Sequence, residues 1–178
     1  NGAIHGWPGL RRDLLLEAAA RAEGLQQRQP ENPGGWYWQA YALGRYSQGI
    51  SGAKALAQGL GSKVKNCLET AIKLQPRHAD AHIALGAFHA EVIDKVGSLL
   101  GRTQGASKDQ GLLMYKTALK LNPDSAIAMV EYANGLVMLE GDRRMKEAEK
   151  LYADAAAFDP ADAMERLDVE MAKAELED

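Results

Sequence analysis

Apolar and small residues recur every three to four positions along most of the chain, the spacing of one face of an α-helix. Three such segments end alike, with an alanine five residues before a proline: Ala71–Pro76, Ala118–Pro123 and Ala155–Pro160. The residues three positions before these alanines are Leu68, Tyr115 and Tyr152. The residues seven positions before them are Val64, Gly111 and Ala148, so both positions are apolar or small in every segment. The pattern predicts three equivalent helices, each of which buries one stripe.

A second helical segment precedes each of these helices and carries a small residue where a neighbouring helix has to approach closely. The small residues are Gly44, Gly86 and Ala133, which follow Leu43, Leu85 and Tyr132. Two consecutive amphipathic helices bury their apolar faces by pairing as a hairpin. The sequence therefore predicts three helical hairpins.

The three hairpins together resemble the tetratricopeptide repeat (TPR), whose Trp, Leu-Gly, Tyr, Ala, aromatic, Ala and Pro signature they follow over residues 36–160. The resemblance implies an all-α fold, a right-handed α-α superhelix of hairpins with a capping helix at each end. We expect a single domain over residues 1–178. Its predicted parts are an N-terminal helix at 10–28, repeats at 36–76, 79–123 and 126–160, and a capping helix at 161–176.

The repeats are longer than the standard form. Their prolines are 47 and 37 residues apart, whereas a standard repeat has about 34 residues. The larger inserts fall in Ser51–Gly61 and Val92–Gly105, where we expect an extended helix or a short extra one. This layout is similar to that of regulator of microtubule dynamics proteins and of the periplasmic T-component of TRAP transporters.

Local signals place two helix starts. Ser107 with Gln110 forms a capping box before the second helix of repeat 2. Asp159 and Pro160 predict an N-cap and a first-turn proline for the last helix.

Composition narrows the class of partner. The chain has 21 Lys and Arg against 24 Asp and Glu, a net charge of -3, which disfavours nucleic acid as a partner.

The single cysteine, Cys67, excludes an intramolecular disulfide and leaves cytosol and periplasm both open as the compartment. No apolar stretch is long enough to span a bilayer, so we expect a soluble protein. The chain begins at Asn1 and not at Met, which suggests a trimmed or processed protein, from which any export signal would already be missing.

The candidates for chemistry favour structural roles. His78 and His82 share a helical face, but His89 lies too far along the helix to complete a metal site, so we expect interhelix packing. The glycine-rich segments 59–63 and 101–108 lack the spacing and the strand of a phosphate-binding loop, and we expect flexible inserts there. Cys67 has no nearby histidine to activate it. The sequence predicts no enzyme activity, no metal and no cofactor.

The TPR resemblance implies a concave groove lined by the first helix of each repeat. The candidate binding residues are Trp38, Tyr41, Arg45, Asp80, Ile83 and Asn134. Five of the eleven aromatic residues fall between positions 36 and 46. In the alternative interpretation, these aromatics pack against the N-terminal helix, or the inserts fill the groove.

The functional hypothesis is a non-enzymatic repeat protein that binds a protein or peptide through the groove. A clamp for a C-terminal carboxylate is disfavoured, because the predicted groove offers only Arg45 and Asn134 as donors. The alternative is a small-molecule-binding TPR-like component associated with a transporter. The sequence specifies neither the partner nor the oligomeric state.

Overall fold

The computed structural model describes residues 8–177, with side chains from residue 11 onward, and this part of the chain is helical and contains no strand. The helices are α1 (Pro8–Arg28), α2 (Pro33–Gln48), α3 (Gly52–Ala57), α4 (Leu60–Leu74), α5 (Ala79–Thr103), α6 (Lys108–Leu121), α7 (Ala126–Glu140), α8 (Met145–Ala156) and α9 (Ala163–Glu177). A short 3-10 turn, Gly141–Arg144, joins α7 to α8. The all-α prediction is confirmed.

The chain divides into two compact units, one that ends at Pro76 and one that begins at Arg77. In the first unit, α1 packs on α2, α2 packs on α4, and α3 lies against α4. Gly35 sets the approach of α1 and α2, because a Cβ atom there would stand 3.2 Å from the backbone nitrogen of Gln26. The prediction of a single domain stays a prediction.

The second unit contains two helical hairpins, α5 with α6 and α7 with α8, and α9 packs against α7 and α8. Its core is centred on Tyr115 of α6, which is 1% exposed and stacks on Tyr132 of α7 with ring centroids 5.6 Å apart. The three alanines that precede the repeated prolines are all fully buried. The predicted apolar stripes therefore do face the interior.

Close helix approach occurs at some of the predicted small residues and not at others. A Cβ atom on Gly86 would stand 2.9 Å from the ring of Tyr115, which confirms that position. The prediction for Gly44 is wrong, because nothing lies within 4 Å of the place its Cβ would occupy. The closest approach involves Gly135, which the repeat pattern did not single out: its Cβ would overlap Cε2 of Tyr115 and stand 2.8 Å from Cζ.

The insert of repeat 1 forms the short helix α3. The side chain of Ser51 caps α3 by accepting a hydrogen bond from the backbone nitrogen of Lys54 at 3.2 Å. This is the short extra helix that the sequence predicted as one of two outcomes.

The insert of repeat 2 extends α5 and then reverses it. Gly97 interrupts the helix with φ 77° and ψ 163°, a conformation open to glycine and strained for other residues. After the break, a Cβ atom on Gly101 would stand 3.7 Å from Cα of Ile93, whereas eight residues of straight helix would separate them by about 12 Å. The insert is thus a small helical reversal.

The segment predicted as a flexible loop around Gly101 is a helix end followed by a tight turn. The amide of Ala106 donates to the carbonyl of Gly101 at 2.9 Å, and the amide of Gly105 donates to the carbonyl of Arg102 at 3.0 Å. With Gly105 at φ 76°, these two bonds form a Schellman motif. The expectation of a flexible insert is corrected, because the turn satisfies the last carbonyls of α5.

Side-chain caps fix the starts of α6 and α9. Ser107 Oγ accepts a hydrogen bond from the amide of Gln110 at 3.4 Å, which is one half of the predicted capping box, and the amide of Ser107 donates to His89 Nδ1 at 3.1 Å. For α9 the predicted cap is wrong by three residues. Asp162, and not Asp159, caps the helix, since its Oδ1 accepts from the amides of Met164 and Glu165 at 2.8 and 2.9 Å.

Candidate functional site

The exposed side of α2 carries three aromatic rings and one guanidinium group in mutual contact. We call this cluster the aromatic face, and its members are Tyr37, Trp38, Tyr41 and Arg45. The Trp38 ring lies 5.0 Å from that of Tyr37 and 5.5 Å from that of Tyr41, both edge to face. The Arg45 guanidinium lies 5.4 Å from the centre of the Tyr41 ring. Trp38 and Tyr41 nevertheless remain 56% and 40% exposed.

The sequence of α2 explains why these rings point outward. Pro33 opens the helix, and the side chain of Asn32 caps it through the amide of Gly34 at 2.9 Å. The opposite side of α2 is buried, and its members are Gly35, Gln39, Ala40, Ala42, Leu43 and Tyr46. With this side fixed against α1 and α4, residues two or three positions away are left in solvent.

The remaining aromatic residues of the segment have packing roles. Tyr46 is buried, and Trp36 is half-buried with its Nε1 donating to the carbonyl of Pro30 at 2.8 Å. The packing interpretation therefore agrees with the burial of Tyr46, whereas Trp36 is held to the loop before α2. It does not account for Trp38 and Tyr41.

A buried polar cluster lies on the inner side of α2. The Oε1 atom of Gln39 accepts hydrogen bonds from Gln26 Nε2 at 2.7 Å and from Cys67 Sγ at 3.0 Å, which joins α1, α2 and α4. Burial raises the pKa of the Cys67 thiol to about 11. A thiol that stays neutral is a poor nucleophile, so Cys67 has a structural role, as the sequence indicates.

The second unit contains an acidic pocket of about 420 Å³ at the starts of α5, α7 and α9. Five carboxylates contribute to its lining, namely Asp80, Asp124, Asp159, Glu165 and Asp168. Burial, with the nearby charges of Glu165 and Asp162, raises the pKa of Asp168. Carboxylates at helix starts also complement the helix dipole, which accounts for part of this cluster.

The six predicted binding residues occupy different environments. Trp38, Tyr41 and Arg45 come together on the aromatic face in the first unit. In the second unit, Asp80 is exposed at the acidic pocket, whereas Ile83 is buried in the core. Asn134 Oδ1 accepts a hydrogen bond from the hydroxyl of Tyr152 at 2.5 Å.

Sequence reasoning missed the acidic pocket around Asp80. Its other carboxylates belong to the loops around Pro123 and Pro160 and to the first two turns of α9. A signal was present at two of the three repeat boundaries, since Asp124 follows Pro123 and Asp159 precedes Pro160. Only the folded chain shows that these loops converge.

The three histidines among the described residues have structural contacts. His78 caps α5, because its Nδ1 accepts from the amide of Ala81 at 3.3 Å, and Nδ1 of His82 lies 2.9 Å from the carbonyl oxygen of His78. His89 accepts from the amide of Ser107 at 3.1 Å. Within residues 8–177, no group of three or more His, Cys, Asp or Glu side chains is placed to hold a metal ion.

Comparison with known proteins shows which family and which fold this chain has. A profile of the regulator of microtubule dynamics protein 1-3 family matches residues 10–177, which is nearly all of the chain. The chain belongs to this family. No curated protein matches the chain.

Among solved structures, the chain is similar to a thermophilic TPR protein of Thermus thermophilus. The two share 23% sequence identity and superpose with a TM-score of 0.66, over 93% of this chain and 76% of the other. At this identity the likeness shows the fold, which is TPR-like. In the part of the chain that the structure describes, no helix is both long enough and apolar enough to cross a membrane.

Proposed function

We propose that this chain is a non-enzymatic scaffold that binds a protein or peptide partner, and that the aromatic face of α2 is the contact surface. The observation that carries the proposal is the exposure of Trp38 and Tyr41 in a cluster whose geometry is already fixed by ring contacts. The TPR-like fold supports a role in protein association.

The aromatic face has the properties of an interface hot spot. Tyr, Trp and Arg contribute more binding free energy than other residue types, because they combine a large apolar area with polar atoms. Trp38 and Tyr41 already contact each other, so little side-chain entropy is lost when a partner covers them. Arg45 adds a planar cation that can bind a carboxylate.

The other predicted binding residues, Asp80, Ile83 and Asn134, have different proposed roles. Asp80 is the exposed member in the second unit and would contact a partner directly. Ile83, buried in the core of the second unit, and Asn134, which accepts a hydrogen bond from the Tyr152 hydroxyl, would have supporting roles within that unit.

The experiment compares what three immobilised forms of the chain retain from a source lysate. The forms are the wild type, a Trp38→Ala and Tyr41→Ala double variant, and a matched control, Leu99→Ser with Leu100→Ser, which alters exposed apolar residues of α5. We expect a protein that the wild type and the control retain and the aromatic variant loses. Circular dichroism and melting curves establish that the variants are folded.

The family description suggests one partner to test directly, namely microtubules, by co-sedimentation of the same three forms. Equal retention by all forms would contradict the role of the aromatic face. If no protein is retained and native mass spectrometry shows a bound small molecule, the transporter-associated alternative replaces the proposal.

A further inference from the structure

The outward side of α9 carries an apolar stripe that no residue of the described chain covers. Met164, Leu167 and Met171 are 68%, 59% and 47% exposed. Their spacing of three and four residues places them along one line of the helix, and the exposed Ala174 continues it. The opposite side of α9 is buried through Val169 and Ala172 against α7 and α8.

This stripe differs from what a terminal helix of a repeat array needs. A capping helix shields the array from water by presenting a polar outer surface. Here the inner side of α9 covers the apolar faces of α7 and α8, yet the middle of its outer, solvent-facing side is also apolar. Methionine is also a residue whose flexible side chain adapts to varied partners.

Acidic side chains border the stripe on both edges. At 100° per residue, Asp168 and Glu175 lie along one edge, and Glu170 and Glu177 lie along the other. Lys173 pairs with Glu170 at 2.9 Å and offsets part of that edge. The helix as a whole has a net charge of -3, which equals the net charge of the entire chain, so the remaining residues are neutral together.

The charges exclude a second copy of α9 as a good occupant. In an antiparallel pair of helices, each edge faces its own counterpart, and in a parallel pair the two edges face each other. Both arrangements would place carboxylates against carboxylates. An anionic membrane surface would meet the same repulsion.

We infer that α9 is a docking site for an amphipathic helix of a partner protein, one whose apolar stripe is flanked by Lys or Arg on both sides. The apolar residues of the two helices would pack together, and the basic edges would neutralise the carboxylates of α9. This site is separate from the aromatic face of α2 and does not depend on it.

The test uses two synthetic amphipathic peptides of equal length with the same leucine stripe, one with lysine and one with glutamate along both edges. Fluorescence anisotropy measures their affinity for the full chain at low and high salt. We expect the lysine peptide to bind at least about tenfold more tightly at low salt, and salt to reduce the difference.

Four double variants locate the binding site. Leu167→Ser with Met171→Ser should weaken the lysine peptide by about tenfold or more, and Glu175→Gln with Glu177→Gln should flatten its salt dependence. Leu99→Ser with Leu100→Ser and Trp38→Ala with Tyr41→Ala should leave the affinity unchanged. Binding that survives the α9 double serine variant would overturn the inference.

A measurement on the unaltered chain guards against a folding defect in the variants. A benzophenone placed at the centre of the lysine peptide's stripe should crosslink to residues 163–177. Crosslinks elsewhere would overturn the inference. So would equal binding of the two peptides, or a dimer in sedimentation that the double serine variant abolishes.

Discussion

Gly135 of α7 lies directly against the ring of Tyr115 of α6, so that a Cβ atom at position 135 would overlap Cε2 of the tyrosine and stand 2.8 Å from Cζ. That distance is far below van der Waals contact. Tyr115 has no room to retreat, because it is almost fully buried and Gly86 of α5 lies so close to the same ring that a Cβ atom at position 86 would stand 2.9 Å from it. One aromatic ring therefore separates two glycine-lined helices.

We expect Gly135→Ala to lower the free energy of unfolding by about 1–3 kcal/mol, because one added methyl group forces α7 away from Tyr115. Urea denaturation measures the change. The matched control is Gly44→Ala, which has open space around it and should raise the free energy of unfolding by about 0.5–1 kcal/mol. Equal effects of the two alanines would contradict this packing.

Gly86→Leu should lower the melting temperature strongly, because a branched side chain cannot fit between α5 and the ring of Tyr115. Thermal unfolding followed by circular dichroism measures the shift. An unchanged melting curve would show that the assigned repeat register is incorrect.

Cys67 should make stability fall at alkaline pH. Burial holds the pKa of its thiol at about 11 in the folded chain, above its ordinary value of 9.0. The stabilisation is therefore complete below pH 9 and is lost as the pH rises toward 11, by up to about 3 kcal/mol at 1.36 kcal/mol per pKa unit.

Urea unfolding of the wild type and of Cys67→Ala, between pH about 8 and about 10.5, measures this loss. Burial also raises the pKa values of Tyr115, Tyr132 and Tyr152, so the alanine variant should keep a weaker pH dependence of the same sign. Identical slopes for the two proteins would rule out a contribution from the thiol.

Asp162→Ala should destabilise α9 by about 1 kcal/mol, because two amides of its first turn lose their acceptor. Asp159→Ala, three residues earlier, should have a smaller effect. Hydrogen exchange of the α9 amides compares the two variants. A larger effect at Asp159 would favour the helix start that the sequence predicts.

The repeat pattern predicted the helices and their buried stripes because both follow from periodicity within a single segment. Ala71, Ala118 and Ala155 show this, since their spacing to the prolines alone identified them as core residues. Which glycine meets a neighbouring helix depends on how two helices cross. The repeat pattern therefore singled out Gly44 and passed over Gly135, whereas the structure shows open space at Gly44 and a close helix approach at Gly135.

The candidate site was predictable where it lies on one helix. Trp38, Tyr41 and Arg45 are three and four residues apart, so helical geometry alone brings them together. The acidic pocket joins loops that are far apart in the chain, such as those at Asp80 and Asp159, and no local pattern reports that they meet. The outward apolar stripe of α9 shows in the sequence as helically spaced apolar residues such as Leu167 and Met171, but only the folded chain shows that this side faces solvent.

The reversal of α5 at Gly97 also bears on how these repeats can change over evolutionary time. Because the segment after Gly97 returns to Ile93, the added residues leave the hairpin and re-enter it at almost the same place. Lengthening or shortening such an excursion does not alter the separation of α5 and α6. Repeat 2 can therefore vary in length while its core residues keep the same packing.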